Sequence, residues 1–214
     1  MLFKKSKKYD LIFSLGEACS CTQSLRDASL QIFSYPYDWL YGSDFRGRVN
    51  ILLDDFKRFI DKDDLKYSHG ERSIKCNAYK NFFNDITFNH DFLASIDFDK
   101  MYGLVKTKYD RRIRRLLFQM EKANKILIVY LETPNSPNKL RNNATLIESL
   151  QKVQTKYPNK TIDLLYFSND SSFESLKYIK DNISNNILKV IGNYYDNRGG
   201  AGLLGKRRIF QTLL

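Results

Sequence analysis

Residues 10–40 read DLIFSLGEACSCTQSLRDASLQIFSYPYDWL, and this stretch decides the fold. The apolar run Leu11–Leu15 stops at Gly16, and helical spacing begins just after Cys19. A short apolar run bounded by glycine is typical of a buried strand at the centre of a parallel sheet. The stretch therefore predicts a strand, a tight turn and a helix over residues 20–29, with a thiol at the turn.

Short apolar strands alternate with amphipathic helices along the rest of the chain. We predict helices from Asp44 to about Ile60 and over 99–122, 139–155 and 172–181, and strands ending near His90 and at 125–131, 162–167 and 188–191. This alternation predicts an α/β fold with a mostly parallel sheet and right-handed crossovers. We expect a three-layer sandwich, with helices on both faces of the central sheet. It would form a single domain over residues 1–214, with a long polar excursion at about 61–81.

The composition is that of a globular protein, with 43% hydrophobic and 28% charged residues among 214. No apolar run approaches the ~20 residues that a membrane helix needs. The basic start MLFKKSKKYD precedes a strand too short for a signal-peptide core. The three cysteines lack the spacing of a disulfide framework, which suits a reducing compartment. We therefore expect a cytoplasmic protein without a transmembrane segment.

The net charge of +11 and the pI near 9.4 have two explanations. Either the lysines of an Asn- and Lys-rich chain are simply solvated, or the protein meets an anionic partner such as a nucleic acid, a phosphate-bearing substrate or a membrane surface. No nucleic-acid-binding motif is present, so a nucleic acid is not expected. The basic face at 106–115 and the glycine run at 199–202 fit a solvated helix face and a turn better than a binding site. No pattern in the sequence indicates an oligomeric state.

One edge of the predicted sheet collects residues with chemical potential. Ligands of open parallel sheets bind beyond the carboxyl ends of the strands, which is where Glu17, Cys19, His90, Glu132 and Asn169–Asp170 are expected. A thiol at a helix N-terminus feels the positive end of the helix dipole and nearby free amides, which favour the thiolate and lower the pKa. Amides of the same turn, at Gly16, Glu17 and Ser20, are candidates to hold an oxyanion.

A cysteine nucleophile needs a base, and the chain has two histidines, His69 and His90. The position of His90 at the end of a predicted strand favours it as the partner of Cys19. Asp91 follows directly and would point to the opposite face of the strand, so Asp38 is the better candidate to orient the imidazole, or else it shapes the loop beside it.

The alternative for Cys19 is an inert buried thiol, since cysteine is among the most buried residue types. Cys21 either substitutes for Cys19 or packs under the helix, and Cys76 is incidental. Cys19, Cys21 and His90 lack the paired spacing of structural zinc sites. The turn GEAC lacks the further glycines of phosphate-binding loops. No metal and no cofactor are expected.

Four segments within residues 14–92 together resemble a family of bacterial proteins of unassigned function that are named papain-like cysteine peptidases. They are Ser14-Leu15-Gly16-Glu17-Ala18-Cys19, Leu25-Arg26, Pro36-Tyr37-Asp38-Trp39 and His90-Asp91-Phe92, with Tyr37 where phenylalanine is usual.

The resemblance implies Cys19 as nucleophile and His90 as base. Members of the family often accompany surface-polysaccharide genes, so an acyl- or glycan-modifying role is as consistent with the resemblance as proteolysis. The hypothesis is a cysteine-dependent hydrolase or acyltransferase acting on a small-molecule, peptide or glycan substrate, which the basic charge allows to be anionic. The alternative is a non-catalytic module that binds an anionic sugar, nucleotide or glycan.

Overall fold

The computed structural model describes residues 9–71, 75–134, 136, 142–174, 177–195 and 208–213. The strands in these ranges are β1 Leu11–Ser14, β2 Leu40–Gly42, β3 Leu65–Glu71, β4 Cys76–Asn81, β5 Ile86–Leu93, β6 Lys125–Leu131, β7 Thr161–Asn169, β8 Tyr178–Ser184 and β9 Ile187–Gly192. The helices are α1 Cys19–Asp27, α2 Phe45–Leu53, α3 Phe98–Lys122, α4 Asn143–Lys156 and α5 Arg208–Leu213. None of these helices is long and apolar enough to cross a membrane.

The strands form two sheets. The larger has the order β1-β6-β7-β9-β8, in which every neighbouring pair is parallel except β8 with β9. The α/β class and the mostly parallel sheet are therefore confirmed. The smaller sheet, β2-β5-β4-β3, is antiparallel throughout and was not predicted. The three-layer sandwich stays a prediction.

Both faces of the parallel sheet pack against apolar side chains. In β6, Ile126, Ile128 and Tyr130 belong to one core cluster, whereas Leu127, Val129 and Leu131 belong to another. Successive strand residues point to opposite faces, so a strand buried on both sides reads as the continuous run KILIVYL. The first cluster contains buried residues of α2, α3, α4 and the antiparallel sheet. The second contains residues of α1 and α5.

Strand β1 lies at the edge of the sheet, so the prediction that it lies at the centre is wrong. It pairs with β6 from Leu11 opposite Ile126 to Ser14 opposite Val129. Its four residues are nevertheless buried, and Tyr35 packs edge-on against Phe13 with ring centroids 6.2 Å apart. The apolar run therefore indicates that both faces of the strand are buried, not that the strand is central. At the edge of a sheet, a loop packed over the strand can bury it.

Two segments fold differently from the sequence prediction. The excursion at 61–81 contains the antiparallel strands β3 and β4. The helix predicted over 172–181 is wrong, because none of its described residues is helical and β8 begins at Tyr178 and pairs with β9. Strands β3 and β8 expose most of their side chains, so neither carries the apolar alternation that reveals a strand. The glycine run at 199–202 lies outside the described residues.

Candidate active site

Cys19 is the first residue of α1, directly after the turn that follows β1. The N-cap residue Ala18 is extended, with φ −146° and ψ 172°, and its side chain accepts no hydrogen bond. Alanine is a poor N-cap because it offers no acceptor to the first-turn amides. The backbone N–H groups of Cys19 and Ser20 are close enough to the Cys19 sulfur to lower its pKa. The helix therefore begins with backbone amides next to a thiol.

Burial raises the pKa of the Cys19 thiol above its ordinary value of 9.0, and the two backbone N–H groups lower that pKa by less. The prediction of a lowered pKa is therefore wrong for the protein in this state. The reason is that partial burial removes water that would stabilise the thiolate, and the two backbone N–H groups replace only part of that stabilisation. Cys19 is thus protonated at neutral pH, and it requires a base to become nucleophilic.

Glu17 anchors the turn to the end of β6. Its side chain is 4% exposed and accepts four hydrogen bonds. Oε1 accepts from the hydroxyls of Tyr130 (2.8 Å) and Ser136 (2.6 Å), and Oε2 accepts from the backbone N–H (2.9 Å) and hydroxyl (2.8 Å) of Thr133. The carboxylate therefore holds the turn in place, a role that the sequence did not reveal.

The turn amides divide into occupied and available groups. The N–H of Gly16 donates to Ser14 Oγ (3.1 Å) and that of Glu17 donates to the Leu131 carbonyl (3.3 Å), so two of the three predicted oxyanion donors are occupied. The Ser20 N–H faces the Cys19 sulfur. Within the described residues the N–H of Ala18 has no protein acceptor. Donors for an oxyanion are therefore better sought at Ala18, Cys19 and Ser20.

Arg48 fixes the direction of the Ala18 amide. The Glu17 carbonyl accepts from Arg48 Nη2 (3.1 Å) and from the Gly42 N–H (3.2 Å). In a trans peptide the carbonyl and the following N–H point in opposite directions, so the Ala18 N–H is turned away from Arg48. Arg48 is fully buried and also donates to the Gly42 carbonyl from Nε (3.0 Å) and Nη2 (2.8 Å). Burial lowers the pKa of its guanidinium, against the influence of Tyr130 and Tyr37.

Asp38 is buried within its own loop. Its Oδ1 accepts from the Thr22 hydroxyl (2.8 Å), and its Oδ2 accepts from Gln31 Nε2 (2.7 Å) and the Tyr35 N–H (2.9 Å). Burial raises the pKa of this carboxyl despite these donors. Among the described residues His90 is not a hydrogen-bond partner of Asp38. The loop-shaping role is therefore visible, and the orienting role stays a prediction.

His90 lies in β5 with its side chain exposed. Asp91 is buried and points to α3, where it accepts from the Tyr109 hydroxyl (2.8 Å) and from Lys108, as the alternation of strand residues predicts. Within the described residues His90 forms no hydrogen bond to Cys19. Cys19 begins α1 after β1 of the parallel sheet, whereas His90 lies in β5 of the antiparallel sheet. Strand β2 links the two regions, because it pairs with β5 and the Gly42 N–H donates to the Glu17 carbonyl in the Cys19 turn.

Several residues of the predicted rim follow or end strands of the parallel sheet, whereas His90 lies in the antiparallel sheet and is not at this rim. Glu132 follows β6 and accepts from the hydroxyls of Tyr166 (2.5 Å) and Ser168 (2.8 Å) and from the backbone N–H of Asn169 (3.1 Å). Tyr195, just after β9, shares a 2.8 Å hydrogen bond with Ser20 Oγ. Sequence reasoning missed Tyr195, although the same rule about strand ends applies to it.

The other cysteines do not compete with Cys19. Cys21 is 1% exposed, its thiol faces the Val129 carbonyl at 3.6 Å, and burial raises its pKa to about 12. It therefore packs under the helix, which is one of the two roles considered. Cys76 is buried in β4. All three cysteines are free thiols.

Comparison with known proteins gives one result. Neither the comparison with curated proteins nor that with solved structures finds a significant match. A family model matches residues 10–168, which is more than half of the chain and includes Cys19, Asp38 and His90. The matched range ends before Tyr195. The chain therefore belongs to the family described as putative papain-like cysteine peptidase (DUF1796).

Proposed function

We propose that this protein is a cysteine-dependent hydrolase or acyltransferase in which Cys19 is the nucleophile and His90 the base. The observation that carries the proposal is the start of α1, where Cys19 is the first residue of a helix whose N-cap, Ala18, offers no side-chain acceptor to the first-turn amides. Helices are normally capped, and departures from such local rules concentrate at functional sites. Membership of a family described as papain-like points to the same chemistry.

The first half of the reaction forms an acyl-enzyme. His90 removes the proton from the Cys19 thiol while the sulfur attacks the carbonyl carbon of the substrate. The carbonyl oxygen becomes an oxyanion, which accepts hydrogen bonds from amides of Ala18, Cys19 and Ser20. When the intermediate collapses, the bond to the leaving group breaks and the imidazolium gives its proton to that group. A thioester at Cys19 remains.

The second half regenerates the thiol. His90 takes a proton from water, or from an acceptor hydroxyl or amine, as that group attacks the thioester carbon. Collapse of this second intermediate breaks the carbon–sulfur bond, and the sulfur recovers the proton from the imidazolium. Attack by water gives hydrolysis, and attack by an acceptor gives acyl transfer. The raised pKa of Cys19 makes the base essential, because the thiol does not ionise at neutral pH without it.

Two arrangements outside the turn support the assignment of His90 and Asp38. Leu40 of β2 pairs with Phe88 of β5, and Asp38 and His90 are each two residues along the chain from this pair. Trp39, between Asp38 and β2, has a φ of 69°, a left-handed conformation that is strained for a bulky residue and typical of functional sites. In this proposal Asp38 orients His90 as well as shaping its loop.

The proposed substrate is a small molecule, peptide or glycan carrying an acyl group. The net charge of +11 favours an anionic one, such as a phosphate-bearing donor. A place in bacterial surface-polysaccharide biosynthesis fits both acyl transfer and glycan modification. A cytoplasmic location fits three free thiols, since a reducing compartment preserves them.

Alkylation of the thiols tests the nucleophile. Iodoacetamide followed by peptide mass spectrometry should label Cys19 below pH 8, well before Cys21 and Cys76. His90→Ala should abolish this low-pH labelling, whereas His69→Ala, the matched control on β3, should leave it unchanged. Equal labelling rates for His90→Ala and the unmodified protein would remove His90 from the mechanism. With the true substrate, full activity of Cys19→Ala would refute the proposal.

A non-catalytic module that binds an anionic sugar, nucleotide or glycan is the second candidate. It is favoured by the protonated thiol and by the absence, within the described residues, of a bond between Cys19 and His90. A nucleotide sugar that raises the melting temperature of Cys19→Ala and of the unmodified protein equally, while Cys19 resists alkylation until alkaline pH, would select the module over the enzyme.

A further inference from the structure

The loop after α1 projects two adjacent apolar side chains into solvent. Ile32 is 82% exposed and Phe33 is 47% exposed. Both line a cavity of about 320 Å³ together with Leu11 and Lys122. Because Leu11 begins β1, this cavity lies at the amino edge of the parallel sheet, opposite the edge that carries Cys19. The proposed active site therefore does not explain these exposed residues.

One face of α3 extends the apolar tip into a basic surface. Arg111, Arg115, Phe118 and Lys122 are spaced by four, three and four residues, so they lie on one side of the helix. The guanidinium of Arg115 lies 5.1 Å from the Phe33 ring, and Lys122 lies 5.7 Å from the ring of Phe118, which is 59% exposed. We call this surface the amino-edge patch, comprising Ile32, Phe33, Phe118, Arg111, Arg114, Arg115 and Lys122.

The cations of the patch are largely without acidic partners. In the described part of the chain Arg111, Arg114 and Arg115 form no ion pair, and Lys122 has only Glu121 at 3.9 Å, on its own helix. Cations with few acidic partners therefore lie beside two exposed phenylalanines and an isoleucine.

A second exposed aromatic pair provides a comparison within the same molecule. Phe82 and Phe83, at the turn between β4 and β5, are 64% and 57% exposed. Their neighbouring cations are neutralised, because Lys80 pairs with Asp85 at 2.6 Å and Arg58 Nε donates to Asp64 at 2.8 Å. The cations beside Phe82 and Phe83 therefore have acidic partners, whereas the three arginines of the amino-edge patch form no ion pair in the described part of the chain.

We propose that the amino-edge patch binds an anionic lipid surface. Apolar side chains at a projecting tip enter the headgroup and acyl boundary, and flanking arginines and lysines are attracted to acidic headgroups. A bilayer supplies both a continuous negative charge and an apolar layer, which this patch matches. Bound in this way, the protein turns the Cys19 edge of the sheet away from the membrane. The proposal is independent of the reaction at Cys19.

Vesicle sedimentation of the full chain tests the proposal. We expect binding to vesicles of phosphatidylcholine with phosphatidylglycerol, and none to phosphatidylcholine alone. Ile32→Asp should lower the partition coefficient at least about tenfold, because the tip loses its apolar contact. Arg111→Glu should lower it at least about fivefold through the lost attraction. Raising the salt from about 0.1 M to 1 M, which shortens the Debye length from about 10 to 3 Å, should weaken binding.

Matched controls make the outcome decisive. Phe82→Asp places the same charge at the other exposed aromatic pair, and Lys152→Glu reverses a cation that is paired with Glu148 at 2.7 Å. Each control changes the net charge of the protein by the same amount as the matching patch variant. Both controls should leave vesicle binding within about twofold of that of the unmodified protein. Absence of binding to anionic vesicles overturns the proposal, as does equal loss in the controls and the patch variants. Unchanged circular dichroism melting shows that each variant is folded.

Discussion

Replacement of Arg48 by methionine should destabilise the protein far more than the same change at a surface arginine. The Arg48 side chain is 0% exposed, and its guanidinium donates to the carbonyls of Glu17 and Gly42 at 2.8 to 3.1 Å. Methionine fills a similar volume but donates nothing. The variant therefore removes the buried charge and its hydrogen bonds while leaving little empty space.

The magnitude follows from two opposing contributions. Hydrogen bonds from a charged donor contribute about 1.5 to 3 kcal/mol each, and three of them are lost with Arg48. Removing a buried guanidinium also relieves a desolvation penalty of several kcal/mol. Glu17 then also loses a nearby positive charge, which offsets part of the free-energy cost of burying its carboxyl group. We expect the free energy of unfolding to fall by about 3 kcal/mol, within the range measured when one partner of a buried pair is removed.

Arg46→Met is the control, because Arg46 lies on the same helix with an exposed side chain. It should change the free energy of unfolding by no more than about 0.5 kcal/mol. Urea denaturation followed by circular dichroism measures both variants. Arg48→Lys, which keeps the charge but loses the fork of donors, should fall between them. A loss below about 1 kcal/mol for Arg48→Met would show that the guanidinium does not hold the turn, contrary to the reasoning here.

Three further predictions concern the same turn. Gly16→Ala should lower the free energy of unfolding, measured in urea, by about 1 to 3 kcal/mol, because the new Cβ would lie 2.2 Å from the Cβ of Cys21 on α1. The control Gly103→Ala, which adds a Cβ in open space on α3, should be neutral or stabilising by up to about 1 kcal/mol. Glu17→Gln should lower the free energy of unfolding by only about 1 to 2 kcal/mol in the same assay, because the hydroxyl donors can rotate to suit the new amide group. A loss near zero would mean that the carboxyl group is not needed. In His90→Ala, the rate of Cys19 alkylation should keep rising as the pH passes 9.0. Burial raises the pKa of the thiol, and the thiolate fraction grows as the pH approaches and passes that pKa. An alkylation rate that does not change above neutral pH would contradict this.

The parallel sheet was predictable because its strands are buried on both faces. The apolar run of β6 matches its predicted bounds, 125–131, and the N-cap Asp44 of α2 accepts from the Gly47 N–H at 2.7 Å as its position suggested. The antiparallel sheet was not predictable. Its strand β3 exposes nearly all of its side chains, so pairing with β4 and not apolar periodicity decides its structure.

The local structure around the candidate residues was predictable from their position along the chain, and their electrostatics less so. The rule about strand ends located Glu17 and Cys19, and motif spacing indicated Asp38. The sequence does not show how deeply the Cys19 thiol is buried. The effect of burial, which raises the thiol pKa, could therefore not be compared with that of the backbone amides, which lower it, and the predicted direction was wrong. Arg48 left a detectable signal, because it occupies a buried position among Phe45, Val49 and Leu52 on α2. An arginine on the apolar face of a helix is a mark of a buried polar network.

The position of β1 at the edge of its sheet has a consequence for how the protein folds. Leu11 pairs with Ile126, so docking of this strand closes a loop of more than one hundred residues, whereas β6 and β7 join over a much shorter separation. Loop closure costs more entropy as the loop lengthens, and long-range pairings slow folding. We expect β1 to dock after β6, β7 and β9 have assembled. Cys21 lies on α1, the helix that follows β1, and its thiol faces Val129 of β6. We therefore expect Cys21 to become protected from alkylation late in refolding, when β1 and α1 dock.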